Sequence, residues 1–185
     1  IQGMSGLMSV TGEADGKPGG GPQKVGVPIV DIMTGMYAAI AVLAALARRE
    51  RSGQGEHIDI GMLDVGVSFL ANQAMNYLIS GKAPRRAGNA HPNIQPQDVF
   101  AARDGHLVLA VGNDSQWQSF CRVVRSPELG ADARYQTNAG RVEHYATLVR
   151  SLAPVLRTWR LDALVDALRA AGVPCGAVRS IDQAL

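Results

Sequence analysis

Val25–Ala47 reads VGVPIVDIMTGMYAAIAVLAALA, and the reading of this stretch decides how the rest of the chain is organised. No charge follows Asp31 until Arg48, and Gly35, Ala38, Ala39, Ala41, Ala44 and Ala45 alternate with Ile, Met, Leu and Val. A helix apolar all round is buried all round, and its small side chains let neighbouring backbones approach closely. The competing reading is a membrane span. The uninterrupted run from Ile32 to Ala47 is shorter than the roughly 18–20 residues that cross a bilayer, and it lacks an aromatic belt. A buried helix of a soluble domain is the expectation. Arg48, Arg49 and Arg51 suit the negative end of a helix dipole, and Gly53 and Gly55 follow as breakers.

Working outward, 185 residues leave room for one ordinary domain or parts of two. The composition, 46% hydrophobic and 18% charged, is that of a soluble globular protein. A net charge of +2, with no basic run interleaved with aromatics, argues against a nucleic-acid partner. Cys121 and Cys175 stand far apart, outside CxxC or Cys/His spacing. They predict reduced thiols in a cytoplasmic setting, no metal and no disulfide scaffold. No signal peptide or lipidation pattern is present. The chain opens at Ile1 inside an apolar Gly- and Met-rich segment, IQGMSGLMSVTG, which predicts an internal fragment of a longer protein.

Ile1–Gly12 suggests a short helix running into a loop, and Glu13–Gly26 (EADGKPGGGPQKVG) is that loop. It fails as a phosphate loop: the glycine spacing is wrong, and Pro18 stands where Ser or Thr would hold magnesium. Glu56–Gly61 alternates His57 and Asp59 against Ile58 and Ile60, a period-two strand. Met62–Ile79 returns to a helical period, so helix, strand and helix predict an α/β layer. Ser80–Pro96, SGKAPRRAGNAHPNIQP, has linker composition. It also concentrates polar groups: Gly88 and Asn89 tolerate positive φ, and Asn89, His91, Asn93 and Gln95 can face a ligand.

Asp104-Gly105 between two apolar alternations marks a hairpin over Gln97–Val111. Asn113, Asp114 or Ser115 caps a helix over Gln116–Val124, with Trp117, Phe120 and Val124 facing the core. Cys121 beside Phe120 reads as buried and inert. Asn138–Thr158 reads as helix kinked or broken at Pro154. Arg160–Ala171 follows, stopped by Gly172 and Pro174, and Cys175–Val178 is a short strand. Asp162 and Asp166 belong to a solvated helix face.

The succession IQGMSGLMSVTG, VGVPIVDIMTGMYAAIAVLAALARRERSGQGEHIDIGMLD, RRAGNAHPNIQPQDVFAARDGHLVLAVGNDSQWQSFC and LVDALRAAGVPCGAV resembles the family III CoA-transferases over nearly the whole chain. That resemblance implies an α/β protein of about twice this length, with a Rossmann-like large domain, a linker and a small α+β domain, two chains interlocking as a homodimer. Residues 1–80 would then be part of the large domain, 81–96 the linker and active-site loop, and 97–185 the small domain.

The implied reaction moves coenzyme A between small carboxylic acids through a covalent aspartyl intermediate, which splits one difficult step into two. The family's nucleophilic Asp would fall upstream of Ile1, so no residue of this chain is assigned as catalytic, and the fragment alone is expected to be inactive. The expected substrate-binding residues are Asp31, Met36, Gly88, Asn89, His91, Asn93 and Gln95. The family's glycine-rich loop falls at Gly88–Pro96 and reads GNAHPNIQP here. The partners implied are an acyl-CoA and a carboxylic acid, without metal, nucleic acid or membrane. An α-methylacyl-CoA racemase of the same fold, and a non-catalytic structural or dimerisation fragment, stay open as alternatives.

Overall fold

The computed structural model describes residues 1–185 and divides into two compact units, Ile1–Gly88 and Asn89–Leu185. The first holds four helices: α1 (Leu7–Val10), α2 (Ile29–Ser52), α3 (Met62–Ser68) and α4 (Ala71–Ser80). The expected start of α2 at Val25 moves to Ile29. Pro28 sits at the N-cap, and a proline pushes the residue before it out of helical geometry. The end is as the glycines predict: Gly53 takes the left-handed conformation at φ +70°, and its N–H donates to the Arg49 carbonyl at 2.7 Å.

The burial expected of α2 does not hold within this chain. Val30 is its one buried residue, while Ile40 and Leu43 are 62% and 66% exposed. The reason is a shortage of covering layers. In the first unit only Val30 and Val65 are buried large apolar residues. Around them Gly66 lets α3 press on the N-terminal turn, where an added Cβ would lie 2.8 Å from the Cβ of buried Ser5. The observed helix is 24 residues long and, by length and composition alone, is long and apolar enough to cross a membrane. The length argument made for the shorter run does not carry over to it.

Two more expectations change here. Glu56–Gly61 forms no strand, because no neighbouring strand offers it a ladder. The helical period over Met62–Ile79 is split into α3 and α4 at Phe69–Leu70, where Ala71 takes φ +45°.

The second unit carries β1 (Gln97–Ala101), β2 (His106–Ala110), α5 (Asp114–Val123), α6 (Pro127–Ala131), a 3₁₀ turn (Ala133–Tyr135), α7 (Asn138–Glu143), α8 (Tyr145–Arg157), α9 (Leu161–Ala170), β3 (Cys175–Ala177) and α10 (Ile181–Ala184). The hairpin closes as read, with Phe100 opposite Leu107 and the Ala102 N–H donating to the Gly105 carbonyl. The sheet is antiparallel throughout, in the order β1-β2-β3. Along β2, Leu107 and Leu109 are buried while His106 and Val108 are exposed, so one face meets the core and one meets water.

Trp117, Phe120, Leu148, Leu152, Leu156, Leu164 and Leu168 from α5, α8 and α9 complete that core. Asn113 caps α5 by accepting from the Gln116 N–H. The break expected at Pro154 falls instead at His144, between α7 and α8; Pro154 lies inside α8, within its last turn, and the one helix bond its missing N–H removes is that to the Arg150 carbonyl.

The two units thus differ in self-sufficiency. Expressed separately, residues 89–185 should melt as one cooperative transition by circular dichroism. Residues 1–88 should show helix without a cooperative melt and bind a hydrophobic dye. A sharp two-state transition for 1–88 alone would show that α2 finds cover inside its own unit.

Candidate functional site

In the first unit Asp31 stands exposed in the first turn of α2, on the wall of a cleft of about 520 Å³ shared with Gln2, Gly3, Lys24, Val27 and Met62. Met36 is 53% exposed and lies five residues on, about 140° round the helix at 100° per residue. The two therefore face different sides of α2. Gly88 adopts φ +64°, and its N–H donates to the Gly12 carbonyl at 3.0 Å. A side chain there would force a left-handed backbone that costs roughly 1–2 kcal/mol and would bring its Cβ within 3.1 Å of the Glu13 carboxylate.

Asn89, His91, Asn93 and Gln95 belong to the second unit, and three of them are drawn into one braced loop. His91 Nδ1 accepts from the backbone N–H groups of Asn93 and Ile94, each at 3.1 Å. The His91 N–H donates to the Gln97 carbonyl at 2.9 Å. Gln95 is buried, and both ends of its amide are engaged: Nε2 donates to the His91 carbonyl at 2.6 Å, and Oε1 accepts from the Gln97 N–H at 3.1 Å. Gln95 is thus a strut of the loop. Asn89 is exposed, and its side chain makes no hydrogen bond within the protein. With Nδ1 accepting from both amides, Nε2 is the ring nitrogen left to donate.

Beneath the loop lies a residue that sequence reasoning missed. Arg141, on α7, is fully buried. Its Nε donates to the Gln95 carbonyl at 2.7 Å, Nη1 to the Tyr135 carbonyl at 2.9 Å, and Nη2 to Asp114 Oδ1 at 2.8 Å. Its guanidinium carbon lies 5.5 Å from the Trp117 ring centre. Nothing in the local pattern distinguishes this arginine from those in solvent. The one available signal is its position three residues after Asn138, on the same helix face.

Neither cysteine is poised for chemistry. Burial pushes the Cys121 thiol up to about 12; the Glu128 carboxylate adds to the push and the Arg141 guanidinium opposes it. Burial also raises the Cys175 thiol, against the pull of Arg169. No three His, Cys, Asp or Glu side chains gather where they could hold a metal ion.

Comparison with known proteins places this geometry in context. Residues 1–185 match the model of CoA-transferase family III. The succinate–glutarate CoA-transferase of Agrobacterium fabrum is 46% identical over 183 residues, which is 99% of this chain and 45% of the relative. The acetyl-CoA:oxalate CoA-transferase of Acetobacter aceti is 36% identical over 184 residues, 100% of this chain and 46% of that protein. Among solved structures, a CaiB/BaiF family protein from Brucella suis superposes with a TM-score of 0.79 at 43% identity, over 98% of this chain and 47% of that one. The chain spans slightly less than half the length of each.

The thiol of Cys121 gives a direct check on the second unit. At pH 8 iodoacetamide should leave Cys121 unmodified in the folded protein and alkylate it fully in denaturant, as read by mass spectrometry. The stability its neutral form contributes is complete below the ordinary thiol value of 9.0 and is lost as the pH rises towards about 12. Rapid native alkylation at pH 8 would contradict the burial.

Proposed function

We infer that this chain, which belongs to CoA-transferase family III, is part of an enzyme that moves coenzyme A between small carboxylic acids, with dicarboxylic acids among them. The observation that carries the reading is the match along the whole chain to transferases whose names specify succinate, glutarate and oxalate, each with two carboxylates, and the acetyl group of acetyl-CoA. Both relatives are named as transferases, which favours acid exchange over racemisation.

The chemistry we propose begins with an enzyme aspartate, supplied by the rest of the protein, attacking the thioester carbonyl. The C–S bond breaks, coenzyme A leaves as thiolate and a mixed anhydride remains. The thiolate then attacks the aspartyl carbonyl, releasing the first acid and leaving coenzyme A on the aspartate as a thioester. The second acid repeats the two steps in reverse. Each attack builds negative charge on a carbonyl oxygen, so fixed donors aimed at that oxygen lower the barrier. Within this chain the Asn89 amide and the His91 Nε2–H are the candidates for that role. In the first unit Asp31, on the wall of its own cleft, is proposed to contact substrate. The whole protein is proposed to work as a homodimer, a reading supported by the uncovered apolar surface of α2.

The full-length enzyme, given succinyl-CoA and glutarate or oxalate, should form the new acyl-CoA, followed by liquid chromatography. Residues 1–185 alone should form none. Asn89→Ala should lower kcat about 100-fold with an unchanged thermal midpoint. Full-length protein that binds coenzyme A yet exchanges no acid across a broad panel of mono- and dicarboxylates would remove the transferase reading. Normal turnover in Asn89→Ala would remove Asn89 from the site.

A further inference from the structure

The loop from His91 to Gln97 owes its shape to a helix that contributes nothing else to the candidate site. Asn138 opens α7, and its amide straddles Ile94: Oδ1 accepts from the Gln95 N–H at 3.0 Å, and Nδ2 donates to the Asn93 carbonyl at 2.8 Å. In effect one side chain supplies the donor and acceptor that a neighbouring strand would supply. Three residues on, Arg141 takes the Gln95 carbonyl. Both backbone polar groups of Gln95 therefore end on α7, while its side chain reaches back to the His91 carbonyl and the Gln97 N–H. The line of contact runs from α7 through Gln95 to the backbone of His91. The backbone amides of Asn93 and Ile94, set by the same clamp, are the two donors that hold the His91 ring at Nδ1.

We propose that Asn138 and Arg141 are positioning residues for the reaction, acting through Gln95 to hold His91 in one place and one tautomer. The proposal rests on the transferase reading above for its link to catalysis, but its structural half stands independently. Neither residue reaches the substrate. Their contribution is to spare the site the reorganisation that an unbraced polar loop would undergo in each attack step. Arg141 is suited to this because a buried guanidinium is tolerated only where its N–H groups are met, and those acceptors admit one loop geometry.

The test uses the full-length enzyme with succinyl-CoA and glutarate. It combines steady-state kinetics with hydrogen–deuterium exchange of the peptide bearing Gln95. Asn138→Ala should accelerate exchange at Gln95 and lower kcat about 10- to 100-fold, the scale of an ångström-sized misplacement, with KM for the thioester little changed. Asn138→Asp keeps the acceptor for the Gln95 N–H and loses the donor to Asn93, so it should recover part of the rate. Glu143→Gln, exposed on the same helix, should match the wild type. If Asn138→Ala fails to fold, Asn138→Asp carries the comparison, and a wild-type rate together with faster Gln95 exchange would overturn the proposal. So would a loss of rate wholly accounted for by a smaller folded fraction. If the wild-type enzyme transfers coenzyme A to no acid, the functional reading fails by itself. The exchange data then decide the clamp: faster exchange at Gln95 supports it and unchanged exchange overturns it.

Discussion

The second unit is arranged around one buried charge. Arg141 is fully removed from water, and stripping a guanidinium of its hydration costs several kcal/mol unless the protein returns the lost hydrogen bonds. Here they come from three directions: the Gln95 carbonyl, the Tyr135 carbonyl and the Asp114 carboxylate, with the Trp117 ring nearby. Of these, Asp114 is 55% exposed, so the ion pair is screened on one side and is a weak source of stability. The carbonyls do the greater part, and they belong to the loop after His91 and to the 3₁₀ turn before α7. One side chain thereby links the hairpin entry, the first residue of α5 and the 3₁₀ turn before α7.

The first unit has no equivalent. Its longest helix turns Ile32, Met36, Ile40 and Leu43 outward, and Val30 and Val65 are too few to make a core. Apolar burial contributes about 25 cal/mol per Å², so a helix with this much uncovered surface forgoes the main term that holds helices in place. Such a face is stable only against something else, and relatives twice as long as this chain leave room for it. The asymmetry is physical: the second unit closes its own core, and the first is a layer awaiting one.

How much of this was legible in the sequence follows from how local each signal is. Asp104-Gly105 between apolar alternations specifies a hairpin within a dozen residues, and the hairpin formed in that register. Asn113 before Trp117 and Phe120, and Gly172 before Pro174, likewise act through neighbours, and both boundaries fell within a few residues of their readings. The misjudged elements depend on partners distant in sequence or outside these residues. Glu56–Gly61 has strand periodicity but no ladder to join. The apolar period of α2 states that the helix needs cover, and it cannot state whether this chain provides it. Asn138 and Arg141 look like ordinary polar helix residues, because nothing within four positions records that their partners on Asn93 and Gln95 lie more than forty residues upstream. The loop's polar content was readable; its internal bracing was not.

That bracing changes how a loop of this composition should be understood. A segment rich in Gly, Asn and Pro suggests a flexible strap that swings over a ligand. In the structure most of the segment is hydrogen-bonded in place. Gly88 is tied to Gly12 through its N–H, and from His91 onward the backbone is held by Gln97, Gln95 and Asn138. Between these anchors only Asn89 and Ala90 have backbone amides without a partner. The bracing reaches His91 and not Asn89: two backbone amides fix the His91 ring before any charge develops near it, while the Asn89 amide stands outside the hydrogen-bonded part of the loop.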